Sequence, residues 1–397
     1  MKIYEIGTGY TPIPAQMGAA TEIVVEELTK AFLKRNIPVR ILDIKAENRC
    51  PNELPIEQVW VPKCFSGTDV KLGIMHKLKR VAYSVCLAGK LRSILKSSEE
   101  KIVLHFHNQY NLFFFYKLVP ASLRKNAVIA YTNHSYIWHN PWEQIKETIY
   151  KRYFQEIYCI EHADYVFVLN TQTRDTLTEH FNINPGKIHL IGNGVNTDTY
   201  NTLNDQEKNR SRFEWKVSDK KVFIQVGSVC DRKNQLGALQ LLLPLMQQHE
   251  DIVFCYAGGI IDAAYQASIE QFAAEHNLAN RVQYVGELQP GKQLNQFYNL
   301  AEAMVFPSKA EGFSLVILES MSAGTPVLIG KNLQFSLSDH CISYEDGKFV
   351  QIVTDQILCE EQQRKLSAQA RQTVLETFSW DKIAQDYVAA WQNKKSS

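Results

Sequence analysis

In the stretch PSKAEGFSLVILESMSAGTPVLIG, Pro307 to Gly330, two carboxylates, Glu311 and Glu319, stand eight positions apart with a Gly-Phe-Ser between them. The surrounding chain divides into AMVFPS, a strand, KAEGFS, a turn, and LVILESMSAG, a helix. Small residues at a strand-to-helix turn let backbone N–H groups close on a phosphate, and the helix dipole favours negative charge there. A helix starting near Ser314 puts Glu319 in its second turn. A carboxylate there can accept hydrogen bonds from two vicinal hydroxyls, as the acidic residue of dinucleotide folds does with a ribose. Glu311 sits on the turn itself, nearer the reacting centre. A bare pair at this spacing would read as two solvated glutamates, but here it is flanked by a strand and by Gly-Thr-Pro-Val.

A second group of reactive types follows another strand. In VGSVCDRKNQ the strand ends at Gly227 and the next loop carries Arg232 and Lys233. Two adjacent cations there can neutralise a departing diphosphate without a metal. Histidines mark two more strand ends: His105, His107 and Asn108 in KIVLHFHNQY, and His134 and His139 in AVIAYTNHSYIWHN. The His-x-His spacing on a strand turns both side chains to one face of a buried sheet, which suits satisfied core or cleft histidines better than a metal site. No Asp-x-Asp occurs, so the usual metal–nucleotide clamp has no anchor. Near the start, GTGYTPIPAQMGAATEIV offers Gly7-x-Gly9 after a strand, and Asp43 closes the second strand, as in a nicotinamide dinucleotide fingerprint. Pro12 stands where the third glycine belongs and Pro14 follows, so that tight turn does not form. Small residues instead precede the helix at Met17, Gly18, Ala19 and Ala20, where a phosphate or sugar would lie against its start.

The elements that must hold these residues are short β-branched runs alternating with helical patterns, the mark of parallel βαβ units. Strands are expected at 2–7, 38–44, 101–107, 127–133, 165–170 and 187–194, then at 221–227, 251–258, 281–287, 303–308 and 326–330. Between the two sets, NTDTYNTLNDQEKNRSRFEWKVSDKK (196–221) is polar and reads as an inter-domain linker. With 397 residues, 45% hydrophobic and 21% charged, the chain has material for two cores. The expectation is an α/β protein of two Rossmann-like domains facing across a central cleft: 1–198, joined by a returning helix at about 378–395, and 199–377.

A net charge of +1 gives no global field for nucleic acid. Eight cysteines include no Cys-x-x-Cys, and Cys230 and Cys255 lie in apolar, strand-like runs, as reduced buried thiols would. The start MKIYEIGTGY lacks the basic and apolar regions of a signal peptide, and no run nears the roughly 18 apolar residues of a membrane span. Residues 70–98 carry Lys71, Lys77, Lys79, Arg80, Lys90, Arg92 and Lys96 without an acid, interleaved with aliphatics. Such a segment is either one or two domain helices with a solvated basic face or a seat on an anionic membrane.

Taken in order, EGFSLVILESMSAGTPV, EHADYVFVLNTQTRDTL, IGNGVNTDTY, VGSVCDRKN and YVGELQ resemble the waypoints of glycosyltransferase family 4, the large retaining group with the GT-B fold, and the likeness runs through nearly the whole chain. The resemblance implies that Glu319 binds the nucleotide ribose and Glu311 the donor sugar or its phosphate. It implies that backbone amides near Gly312, Phe313, Ser314 and Leu315 hold the diphosphate, with Arg232 and Lys233 beside it. It places His134 near the donor phosphate and sugar, the loop at Gly18 over the diphosphate, and Val285, Gly286 and Glu287 against the base. Two departures stand out: Ser228 where many members have Arg, and Met17 where many have the first of two glycines.

The expected activity is therefore a metal-independent, retaining, hexosyl-type transfer without cofactor, in a bacterial cytoplasm or at the inner membrane face. The donor is a nucleotide sugar, with a UDP-sugar favoured by its frequency in the family. The acceptor is a glycan or lipid-linked sugar of cell-surface polysaccharide synthesis. An epimerase or hydrolase of the same fold, or a non-catalytic glycan-binding subunit, is the alternative. FSWDKIAQDYVAAWQN resembles the family's terminal helix, with Trp380, Ile383, Tyr387, Val388 and Trp391 at packing positions.

Overall fold

The computed structural model describes residues 2–14, 20–47, 49–65, 74–311, 313–333 and 335–392. The chain forms two units, Met1–Asn193 with Trp380–Ser397, and Gly194–Ser379. Each is built on a parallel sheet, whose apolar strands need helices on both faces.

In the first unit the strands are β1 (Lys2–Ile6), β2 (Val39–Ile44), β3 (Ile56–Val59), β4 (Ile102–Phe106), β5 (Ala127–Asn133), β6 (Tyr165–Val168) and β7 (Ile188–Leu190). Their order is β3-β2-β1-β4-β5-β6-β7. The order reverses between β1 and β4, which opens a crevice beyond their carboxyl ends. The same pairing sets Glu5 of β1 opposite His105 of β4. One face of the sheet is closed by the helix Trp380–Gln392, whose Trp380, Ile383, Tyr387 and Trp391 are buried with Phe32 and Phe167. The Trp391 and Phe32 rings lie 5.8 Å apart, so packing is the work of these tail aromatics, as their spacing suggested.

The second unit has β8 (Lys221–Val226), β9 (Ile252–Ala257), β10 (Val282–Tyr284), β11 (Ala303–Phe306), β12 (Val327–Gly330) and β13 (Ile342–Tyr344), in the order β10-β9-β8-β11-β12-β13. Here the reversal falls between β8 and β11. β3 and β13 went unread in the sequence because each is a short edge strand, of four and three residues, too brief to show a period.

Residues 196–221 are not a linker. They fold into the second unit around the helix Asp205–Glu214, which Asn204 and Glu207 close with a capping box. Val195, Tyr200 and Val217 anchor the region in the core. Three well-spaced apolar residues suffice, and a composition reading sees only the polar ones between them. Cys230 likewise lies in a turn rather than a strand, and all eight cysteines are free thiols.

Residues 74–97 form one helix, Ile74–Ser97, with Tyr83, Leu87, Leu91 and Leu95 in the core; residues 70–73 lie outside the described residues. Its cations are not one solvated face. Lys79 reaches the Tyr10 carbonyl at 3.3 Å, Arg80 lies over the Tyr10 and Tyr110 rings at 4.8 and 4.4 Å, and Lys90 pairs with Glu57 at 2.5 Å. Leu78, Val81 and Val85, spaced three and four apart, are exposed. Among the described residues no helix is long and apolar enough to cross a membrane.

Candidate active site

The loops after β8 and β11 meet at the reversal point of the second sheet. Glu311 Oε1 accepts from Lys233 Nζ at 2.7 Å, Arg232 Nη1 at 3.0 Å and Ser308 Oγ at 2.6 Å. Glu311 and Lys233 are largely buried, with 7% and 12% of their side chains exposed, whereas Arg232 is half exposed. The buried ammonium, in the lower local dielectric, therefore exerts the stronger field of the two cations. Backbone contacts lock the loops together: Lys309 N–H donates to the Arg232 carbonyl at 2.9 Å, and Asn234 Nδ2 to the Pro307 carbonyl at 3.1 Å. Close approach also explains one glycine. At Gly258, φ is +141°, and a Cβ would lie 2.1 Å from the Gly227 carbonyl oxygen, so only glycine lets the turns after β8 and β9 touch.

Phe313 and Ser314 lead into the helix Leu315–Ser322, with Ser314 at the N-cap in an extended conformation and its side chain making no cap hydrogen bond. The first N–H groups of any helix lack intrahelical acceptors, so the amides at Leu315 and just after it are donors for a ligand. Gly312 lies outside the described residues. Glu319, on the same helix, is half-buried and accepts from Tyr298 Oη at 2.8 Å. Burial pushes its carboxyl up to about 7, against the opposing pull of the Tyr298 and Tyr200 hydroxyls. Val285, Gly286 and Glu287 follow β10. Val285 N–H donates to the Tyr256 carbonyl at 3.0 Å, the Gly286 carbonyl accepts from Gly258 N–H at 2.9 Å, and Gly286 has a φ of +84°. The Glu287 carboxyl comes close to Gly259, so this loop borders the β9 turn.

The first unit holds His134 in a separate constellation. His107 Nδ1 lies 3.0 Å from His134 Nε2, and His107 Nε2 lies 2.8 Å from Glu5 Oε2. The other Glu5 oxygen is 3.0 Å from His105 Nδ1, and His105 Nε2 is 2.7 Å from Thr132 Oγ1, which in turn meets Tyr387 Oη at 3.1 Å. Burial alone would raise the Glu5 carboxyl, but the two imidazoles beside it hold it down at about 2. Burial pushes His107 down to about 4 and His134 well below the usual imidazole range. The expectation that the His-x-His pair turns to one sheet face and is satisfied there matches this geometry. One ligand-type atom each from Glu5, His105 and His107 lies within 4.8 Å of the others, close enough for a cation, and imidazole hydrogen bonds to the carboxylate span that space. Gly18 lies outside the described residues, as do Met17 and Ala19.

The structure thus joins Arg232, Lys233 and Glu311, puts Glu319 on the helix that follows that turn, and leaves His134 bonded to His107. Ser308, Tyr298 and Glu5 were missed in the sequence. Ser308 and Tyr298 carried no signal, since serine and tyrosine are common near turns and on helices. Glu5 did carry one: it is an acid in the middle of the apolar strand KIYEI, and its burial demands a partner.

Comparison with known proteins bears on the fold and the family. The family model for glycosyl transferases group 1 matches residues 206–372, and that for glycosyltransferase family 4 matches residues 21–199. The O-antigen chain mannosyltransferase RfbU of Salmonella typhimurium is 24% identical over 271 residues, 68% of this chain and 67% of that protein. A D-inositol 3-phosphate glycosyltransferase of Corynebacterium aurimucosum is 26% identical over 259 residues, 61% of this chain and 59% of its own. Among solved structures, sucrose-phosphate synthase from Thermosynechococcus elongatus matches with a TM-score of 0.72 over 98% of both chains at 20% identity. The Anabaena protein HepE in complex with UDP and glucose matches with a TM-score of 0.71 over 99% of this chain and 100% of that one at 15% identity. Likeness at these identities carries the fold, which is GT-B with two Rossmann-like domains. With the two family models spanning both units, the chain belongs to the group 1, family 4 glycosyltransferases.

Proposed function

We propose that the protein is a metal-independent, retaining hexosyltransferase that moves a sugar from a nucleotide diphosphate donor to a glycan or lipid-linked acceptor in cell-surface polysaccharide synthesis. The observation that carries this reading is the convergence of Lys233, Arg232 and Glu311 at the β8/β11 reversal, beside the start of the helix Leu315–Ser322. Glu311 pairs with both cations. A diphosphate seated on the helix amides competes for them, and Lys233 and Arg232 then stabilise the charge that grows on the leaving group. Glu311, released from that pairing, is a carboxylate acceptor for donor-sugar hydroxyls. Glu319 receives the ribose, and the loop Val285–Glu287 borders the base. The transfer passes through an oxocarbenium-like state, with an oxygen of the departing diphosphate taking the acceptor proton. A uridine donor is favoured: HepE, of the same fold, has been solved with UDP and with UDP-glucose.

Calorimetric titration with UDP, GDP, dTDP, ADP and NAD, each with and without EDTA, tests the reading. Tight binding of one diphosphate, indifferent to EDTA, is expected; binding of NAD alone, or binding abolished by EDTA, overturns it.

The exposed Leu78, Val81 and Val85, with exposed Lys77, Arg92 and Lys96 on the same helix, favour a lipid-linked acceptor presented at an anionic membrane on the cytoplasmic side. Salt-sensitive sedimentation with vesicles containing anionic lipid is expected, and its absence sinks the membrane part alone.

A further inference from the structure

The chain of imidazoles in the first unit ends at His134 and begins at a carboxylate, and that order fixes where its protons sit. An ionised carboxylate only accepts hydrogen bonds. Glu5, fully buried on β1, therefore accepts a hydrogen bond from His107 Nε2–H through Oε2 and one from His105 Nδ1–H through Oε1. A neutral imidazole carries one N–H and one lone pair. His107, having given its N–H to Glu5, presents a bare Nδ1, and the atom 3.0 Å from it, His134 Nε2, must be the donor. The two ring planes are 24° apart, near the coplanarity that an in-plane N–H···N bond needs. With its only proton committed to Nε2, His134 is left with a lone pair on Nδ1. Among the described residues that atom has no hydrogen-bond partner.

We propose that Glu5, acting through His107, locks His134 in the Nε2-protonated tautomer, so that His134 offers Nδ1 as an acceptor to a hydroxyl of the bound sugar and has no proton for a phosphate oxygen. Glu5 and His107 are positioning residues in this scheme, and His134 is the group that touches substrate. A second branch runs through His105. His105 Nε2 shares a hydrogen bond with Thr132 Oγ1, and Thr132 Oγ1 shares one with Tyr387 Oη, so the tail helix is tied into the same network. Burial keeps His107 and His134 neutral, as the scheme requires. A cationic His107 would donate from both nitrogens, turn His134 round, and make Nδ1 a donor. The scheme narrows the part expected for His134, near both phosphate and sugar, to hydroxyl recognition alone. That last step rests on the glycosyltransferase reading, whereas the tautomer does not.

The test is nitrogen-15 NMR of the full chain labelled at histidine, near neutral pH, using spectra that show which ring nitrogen carries the proton. His134→Gln identifies the His134 signals. His107 and His134 are expected with the proton on Nε2; a proton on His134 Nδ1 overturns the proposal, with no variant needed. In Glu5→Gln, or in His107→Gln if the first does not fold, the His134 signals should move toward a mixture of tautomers, and unchanged signals in a folded variant likewise overturn it. UDP-glucose added to the wild type should shift His134 Nδ1 as a hydrogen-bonded acceptor without protonating it. Protonation, or no shift while the sugar nucleotide is seen to bind, removes the hydroxyl from Nδ1. If no sugar nucleotide binds at all, the transferase reading fails while the tautomer result stands on its own.

Discussion

Glu319 links nucleotide binding to pH in a calculable way. Its carboxyl, raised by burial to about 7, is half protonated in the unliganded protein near neutrality. Only the ionised form accepts from both hydroxyls of a ribose, so binding is coupled to loss of that proton. The ionised fraction falls from roughly nine-tenths at pH 8 to roughly one-tenth at pH 6, and the affinity falls about tenfold with it, or about 1.4 kcal/mol. Glu319→Gln keeps the shape but cannot ionise. At pH 8 it loses charge-assisted hydrogen bonds worth about 1.5–3 kcal/mol, a weakening of roughly 10- to 100-fold, and at pH 6 it approaches the wild type. The assay is calorimetric titration of both proteins across this range with a sugar nucleotide, whose esterified diphosphate does not titrate there. A wild-type affinity that is flat with pH, or a variant that keeps the wild-type slope, refutes the ribose assignment.

Three further outcomes are expected. Tyr298→Phe removes the hydroxyl that donates to Glu319 at 2.8 Å and opposes its raised pKa, so the midpoint of the pH-dependent affinity should move to higher pH; an unmoved midpoint denies the contact any electrostatic role. Glu156 is fully buried and held by Tyr131 Oη and Ser135 Oγ at 3.0 Å each, and burial raises its carboxyl from 4.5 to about 7. The folded state thus binds that proton more tightly than the unfolded state, and its stabilising effect, full below about 4.5, is lost as pH rises to about 7. Glu156→Gln should therefore gain about 3 kcal/mol on the wild type between pH 4.5 and 8 in urea unfolding, and parallel stability curves would contradict this. Gly258→Ala places a methyl 2.1 Å from the Gly227 carbonyl oxygen at a φ of +141°, and should cost more than about 2 kcal/mol of stability; a near-neutral effect would show that the two turns can part freely.

How much of this was legible in the sequence varies with range. The strand–turn–helix around Glu311 and Glu319 was readable because its cues are local: an apolar run, small turn residues and helical periodicity within one stretch of chain. The α/β class and the place of Arg232 and Lys233 on the loop after β8 followed from alternation alone. The reading of 196–221 failed because a few anchors, Tyr200 and Val217 among them, decide whether polar chain is packed or free, and no window average registers them. The basic run at 70–98 misled in the opposite sense, since Lys79 and Arg80 turn inward onto Tyr10.

The sequence by itself determined which residue types lie at the strand ends, and with them the family. Only the tertiary structure decided their states. Glu311 holds two cations because β8 and β11, far apart in the chain, are neighbours in the sheet. Glu5 holds two histidines, His105 and His107, because parallel pairing sets β1 beside β4. Proton positions and pKa shifts arise from burial and from contacts at hydrogen-bond range, and those quantities do not exist until the chain has folded.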